Sequence, residues 1–101
     1  MGRFLDGRVS AVVGSHTHVQ TADDAIFPGG TAYITDAGMC VPEASVIGMK
    51  TEQVIRRFLT QMPTRFEVAS GPVVVQGVVI DVDERSGRST GVRRVQERVA
   101  P

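Results

Sequence analysis

The densest apolar run near the start of the chain is Arg8 to Val13 (RVSAVV), interrupted only by Ser10. So continuous a β-branched run predicts a strand buried on both faces, as in a layered α/β fold. Ahead of it, Gly2 to Asp6 reads as the last turn of a helix, with Gly7 where a C-terminal glycine cap belongs. Gly14 breaks the run. Asp23 to Gly30 (DDAIFPGG) predicts a loop with a Pro-Gly-Gly turn. Thr31 to Thr35 (TAYIT), β-branched and aromatic, predicts a short strand. Cys40 to Gly48 predicts a second loop, broken by Pro42 and Gly48.

The period then changes. Val54, Ile55, Phe58, Leu59 and Met62 recur at helical spacing, and they predict a helix over Thr51 to Met62 with one apolar face turned to the core. Thr51 is the expected N-cap, Glu52 and Gln53 fill the first turn, and Pro63 stops the helix. Arg65 to Ala69 alternates like a half-buried strand. Pro72 to Asp83 (PVVVQGVVIDVD) predicts a long strand in which Gly77 marks a bulge. A turn over Glu84 to Ser89 returns the chain through Gly91 to Val99 as the second arm of a hairpin. The pattern is α/β, mostly strands with one main helix.

At 101 residues the chain amounts to one small domain at most, with a modest core. An apolar fraction of 42% and a charged fraction of 22% fit a globular protein rather than a disordered one. Eleven basic and eleven acidic residues cancel. That balance gives no support for sequence-specific or non-specific nucleic-acid binding, which draws on a basic surface. Arg85, Arg88, Arg93, Arg94 and Arg98 nevertheless crowd the C-terminal end. Such runs usually form a solvated strand face and tail; the alternative is a patch facing phosphate or a partner. The single Cys40 has no internal disulfide partner, which points to a reducing compartment and hence the cytoplasm. No apolar run approaches the ~20 residues that cross a bilayer, and no secretory signal core is present.

Candidate chemistry centres on Gly14-Ser15-His16-Thr17-His18-Val19-Gln20-Thr21-Ala22-Asp23, which holds both histidines of the chain. Residues two apart in extended backbone point to one side. A pair of imidazoles just past a strand end stands where open α/β sheets build their sites. A zinc-type site takes three or four protein ligands, however. Asp23, Asp24, Asp36, Cys40 and Glu43 are the other available donors, none at a diagnostic spacing. The competing account is two loop histidines in ordinary hydrogen bonds. Ser15 beside His16 is no triad, because adjacency in sequence does not supply nucleophile–base geometry. Gly29-Gly30 reads as a turn, and Cys40 as a packed thiol with no basic neighbour to activate it. Asp36, at a strand end, is either a capping carboxylate or a group orienting a metal ligand from behind.

The same stretch resembles the last metal motif of the YmdB-like metallophosphoesterases, members of the calcineurin-like phosphoesterase superfamily. Gly30-Thr31-Ala32-Tyr33-Ile34-Thr35-Asp36-Ala37-Gly38-Met39 is similar to the segment that follows in that family. So are Ser45 to Met49, Arg57 to Thr60 and Pro63 to Val68. The resemblance spans nearly the whole chain. It implies the C-terminal portion of a four-layer α/β/β/α sandwich, with residues 1–101 as part of one metallophosphoesterase domain. It implies phosphodiesterase activity in the family, 2′,3′-cyclic nucleotides included, by two-metal hydrolysis. His16 and His18 become metal ligands, one for each of two divalent ions, with manganese or iron suited to such a donor set. The substrate is a phosphoester or cyclic nucleotide; oligomeric state stays open, a homo-oligomer included.

The departures are as informative. Ser15 stands where the family usually has Thr, and Val41 where it commonly has Gly. The earlier metal motifs and the family's catalytic histidine have no counterpart here, so the chain holds no catalytic residue of its own. The helix stub at residues 2–6 agrees with a chain that is part of a longer domain: a truncated gene product, a late start or a split frame. Such a chain is expected to bind metal weakly and to be inactive alone. The alternative is a small, non-catalytic β-rich interaction module.

Overall fold

The computed structural model describes residues 1–99. The first apolar run yields a strand shorter than itself, β1 (Ala11–Val13), which pairs in parallel with β3 (Ala32–Ile34). A two-residue strand, β2 (Ala25–Ile26), pairs antiparallel with the far side of β3, giving the order β1-β3-β2. The predicted loop over Asp23 to Gly30 therefore contains a two-residue strand, and its Pro-Gly-Gly turn leads into β3. Burial on both faces does not hold for the first run. As an edge strand with β3 alone beside it, β1 leaves Val13 exposed, and Val9 ahead of it is exposed as well. The helix stub is present as α1 (Gly2–Leu5), followed by Gly7 at φ 80°.

The C-terminal half forms the expected hairpin. β5 (Val73–Val82) and β6 (Ser89–Val99) are joined by a turn in which the Asp83 amide donates to Arg88 O at 2.8 Å. β4 (Val41–Pro42) pairs antiparallel with the start of β5, Val41 opposite Val74, in the order β4-β5-β6. The loop predicted over Cys40 to Gly48 thus contains a short strand. Arg65 to Ala69 forms no strand beyond a single bridge from Val68 to Met49. Cys40 lies at the surface and is not the packed thiol that its apolar neighbours predict. By packing, the described residues divide into two compact units: Met1–Met39 with Gln76–Gln96, and Cys40–Val75 with residues 97–99.

In the first unit the core is β3 and its flanks. Ala32, Ile34, Thr31 and Asp36 are wholly buried. The buried Thr31 hydroxyl donates to the Val9 carbonyl at 2.6 Å and accepts from the Gly7 amide at 2.9 Å. Ser89 donates through its hydroxyl to Ser10 O at 2.6 Å and through its amide to Gly30 O at 2.7 Å.

In the second unit, α2 (Thr51–Thr60) starts and stops close to the predicted positions. Lys50, not Thr51, occupies the N-cap, and no side chain caps that end. Gln61 closes the helix in the left-handed conformation, its amide bonded to Arg57 O at 2.8 Å. The apolar stripe is not core. Phe58 and Leu59 are 84% and 76% exposed, and Ile55 and Met62 are exposed as well. Phe66 is the apolar neighbour at that face: with Val54, Arg57, Phe58 and Gln61 it lines an open cavity of about 470 Å³. What holds α2 is polar. Lys50 Nζ meets Glu67 at 3.0 Å, and Gln53 exchanges bonds with Glu67 through its carboxylate (3.2 Å) and backbone amide (2.7 Å).

Replacing Phe58 or Leu59 with Ser is expected to change stability by less than about 0.5 kcal/mol, as for exposed positions. Ile34→Ala, in the buried strand, is expected to cost about 2–5 kcal/mol. Urea denaturation of the three variants checks the contrast; a large loss at Phe58 would place α2's face in a core after all.

Candidate functional site

The histidine segment leaves β1 at its C-terminal end, as expected, and Gly14 determines how. Its amide bonds Ile34 O at 3.2 Å, and its carbonyl accepts from the Ala37 amide at 2.8 Å. A Cβ at this position would collide with Thr35 O, so only glycine lets the backbone run flush against the end of β3. His16 and His18 then stand on the surface, both exposed. His18 has φ 64°, in the left-handed region, so the backbone between and after the rings is bent, not extended. The two-apart geometry of a continued strand therefore does not apply.

That bend is held by Asp36. Its Oδ2 accepts from both the amide and the hydroxyl of Thr17, each at 2.6 Å, and its Oδ1 accepts from Gly38 N at 2.8 Å. Thr17 lies between the two histidines, so the buried carboxylate grips the loop at its midpoint. The Thr17 hydroxyl, and after it the amides of Gly38, Thr17 and His18, hold the Asp36 carboxyl below its ordinary value of 3.8, against the opposing effect of burial. Farther along, Thr21 N donates to Asp36 O and Asp36 N to the Thr21 hydroxyl, both at 3.0 Å. The Thr21 hydroxyl also meets Asp23 at 2.6 Å, and Asp23 in turn accepts from the amide and hydroxyl of Thr35. Thr21 first, then Thr35, bring Asp23 down to about 2. Loop and strand end are thus stitched by two carboxylates.

This accounts for the other donors named from the sequence. Asp23 is engaged by two threonines and Asp36 by Thr17. Asp24 pairs with Arg94 at 3.5 Å, and Glu43 with Arg98 at 2.9 Å. Cys40 is exposed, with no clustered ligand set around it among the described residues. Among those residues no group of three or more His, Cys, Asp or Glu is placed to share an ion. The donor chemistry of His16 and His18 fits a divalent metal in kind, but it supplies two ligands where a catalytic site takes three or more. Sequence reasoning missed Thr17 and Gln20, whose roles depend on partners 17 or more positions away. The crowded arginines stay at the surface, two of them in the ion pairs just described.

The geometry can be set beside known proteins. A family model described as YmdB-like protein matches residues 1–95. The chain belongs to the YmdB-like family. It is 52% identical over 95 residues to a 2′,3′-cyclic-nucleotide 2′-phosphodiesterase of Bacillus subtilis (strain 168), covering 94% of this chain and 36% of that protein. The crystal structure of a hypothetical protein from Thermus thermophilus superposes with a TM-score of 0.89 at 37% identity, covering 99% of this chain and 38% of that one. The crystal structure of a novel phosphatase from Mycoplasma pneumoniae superposes with a TM-score of 0.87 at 40% identity, covering 93% of this chain and 34% of the other. The chain therefore spans about a third of the length of the relatives it matches. The mixed α/β fold, mostly strands with one main helix, matches that of the phosphatase structure.

Both loop carboxylates titrate below the ordinary range in the folded chain. Their stabilising contribution is therefore present above the ordinary carboxylate value of 3.8 and is lost at lower pH, for Asp23 as pH falls toward 2. Carboxyl-carbon NMR titration is expected to place Asp23 near 2. Thr35→Ala is expected to move Asp23 upward, and Thr17→Ala to move Asp36 upward. An Asp23 that titrates at its ordinary 3.8 would remove the stitch.

Proposed function

We propose that this chain is part of a two-metal phosphoesterase domain and contributes His16 and His18 as ligands, one to each ion. The supporting observation is the histidine loop itself. Two exposed imidazoles leave the C-terminal end of β1, and a buried carboxylate shapes the loop between them. The family and its phosphodiesterase relative favour the same chemistry. Bound divalent ions, manganese or iron by donor preference, would supply charge stabilisation at phosphoryl oxygens and a water acidic enough to attack phosphorus.

The work of this chain's own residues is positional. His16 and His18 present ring nitrogens. Asp36 acts through Thr17, from behind the ligands, and not as a ligand itself. The remaining donors and the general acid would come from residues outside this sequence, in keeping with a chain about a third as long as its relatives. The substrate class is a phosphodiester, 2′,3′-cyclic nucleotides foremost by likeness to the Bacillus subtilis relative. The cytoplasm suits a chain whose single cysteine has no internal disulfide partner.

By itself the 101-residue chain is expected to bind Mn²⁺ weakly and to hydrolyse no phosphodiester at a measurable rate. Mn²⁺-induced broadening of histidine ring signals tests the first point. His16→Ala and His18→Ala are each expected to weaken binding about tenfold or more, by analogy with the loss when a metal ligand's support is removed. Robust turnover of a chromogenic phosphodiester by the isolated chain would overturn the proposal of an incomplete site. A second reading, a non-catalytic interaction module, draws on the exposed apolar stripe of α2. It predicts self-association that depends on Phe58 and Leu59, with no histidine-centred metal response.

A further inference from the structure

Asp36 grips the histidine loop at Thr17, and a second grip lies two residues beyond His18. The Gln20 side chain reaches into the first unit and places its Nε2 among three backbone carbonyls: Gly77 O at 2.9 Å, and Ala37 O and Val95 O at 3.2 Å each. Ala37 follows β3, Gly77 lies in β5 and Val95 in β6. One amide group thus joins the histidine loop to three segments that are 17, 57 and 75 positions away. The opposite end of the same amide, Oε1, is buried with no hydrogen-bond partner among the described residues. A buried unsatisfied acceptor is costly, so the side chain is retained for what its nitrogen does. Three converging carbonyls call for an N–H donor, and the two protons of the amide NH₂ are shared among them. A carboxylate of the same shape would face them with like charge, and a thioether would leave them unpaired.

We infer that Gln20 is a second positioning residue of the histidine loop, coupling the geometry of His16 and His18 to the β5–β6 hairpin. It touches neither metal nor substrate. Asp36 fixes the centre of the loop, and Gln20 fixes where the loop rejoins the sheet. With Gln20 removed, the loop keeps the Thr17 clamp and the bonds of Thr21 and Asp23 to the end of β3 but loses its tie to β5 and β6. The consequence for metal affinity rests on the histidine-ligand reading; the consequence for loop order does not.

The test uses the whole chain with Gln20→Glu and Gln20→Met. Two readouts are taken at a temperature where the hairpin amides keep native shifts: Mn²⁺ affinity from histidine ring broadening, and hydrogen exchange of the Thr17 and His18 amides. Both variants are expected to weaken Mn²⁺ binding by about tenfold, the low end of losses from ligand-supporting residues. Exchange at Thr17 and His18 is expected to accelerate relative to hairpin amides. Affinity and relative exchange unchanged from wild type, with only a lower melting temperature, would reduce Gln20 to general packing and overturn the inference. Should neither variant fold, the wild-type Gln20 side-chain amide decides. Slow exchange of its NH₂ protons supports the inference, and exchange at the free-amide rate overturns it. A wild-type chain whose histidines ignore Mn²⁺ would sink the metal reading alone, leaving the exchange measurements to judge Gln20.

Discussion

A carboxylate that loses all contact with water must find donors elsewhere, and Asp36 finds them in the histidine loop. Its side chain is wholly buried at the end of the central strand β3. Thr17 satisfies it twice and Gly38 once. Burial of an unsatisfied charge would be prohibitive, so the loop has little choice of path. It must bring the Thr17 amide and hydroxyl against Asp36, and the flanking histidines stand exposed. The left-handed backbone at His18 follows from the same demand, since a backbone conformation of this kind persists only where its surroundings over-determine it. The exposure of the two imidazoles is thus a consequence of satisfying a buried acid.

The close approach of Gly14 to β3 and the packing of Gly38 belong to the same arrangement. A Cβ on Gly38 would collide with the Gln76 side chain, whose Oε1 accepts from the Met39 amide at 3.1 Å. The strand end is therefore tied into β5 on one side of Asp36 and into the histidine loop on the other. Glycine at both positions reads from the sequence only as a break. The structure gives each a steric reason.

The legible parts of the fold were those whose signal is local. The β-branched runs gave β1, β3 and β5, the turn-separated arms gave the hairpin, and the 3.6-residue period gave α2. Two-residue strands such as β2 and β4 carry no periodicity, and they exist because a longer strand stands beside them. Arg65 to Ala69 shows the opposite failure: its alternation is real, but Val68 meets only a single bridge at Met49. The stripe on α2 shows a third kind. Its period states that one face is apolar and not what lies against it, and here Lys50, Gln53 and Glu67 hold the helix while Phe58 faces solvent. At the site, His16 and His18 were legible as residue types after a strand. Asp36 was legible as a strand-end carboxylate that caps or orients from behind, but its grip on Thr17 was not. Which acid orients the loop and which are consumed elsewhere depends on partners far along the chain.

The acids of the chain differ in what stabilises their charge. Asp23 and Asp36 are held ionised mainly by hydroxyl and amide dipoles, not by an arginine or lysine. Neutral donors stabilise the charge without cancelling it. Asp24 and Glu43, by contrast, are neutralised by Arg94 and Arg98. The loop that carries both histidines is therefore stitched by uncompensated negative charge, whereas Arg94 and Arg98 pair with acids outside that stitch. The shape and the charge of the histidine loop thus trace to the same two carboxylates.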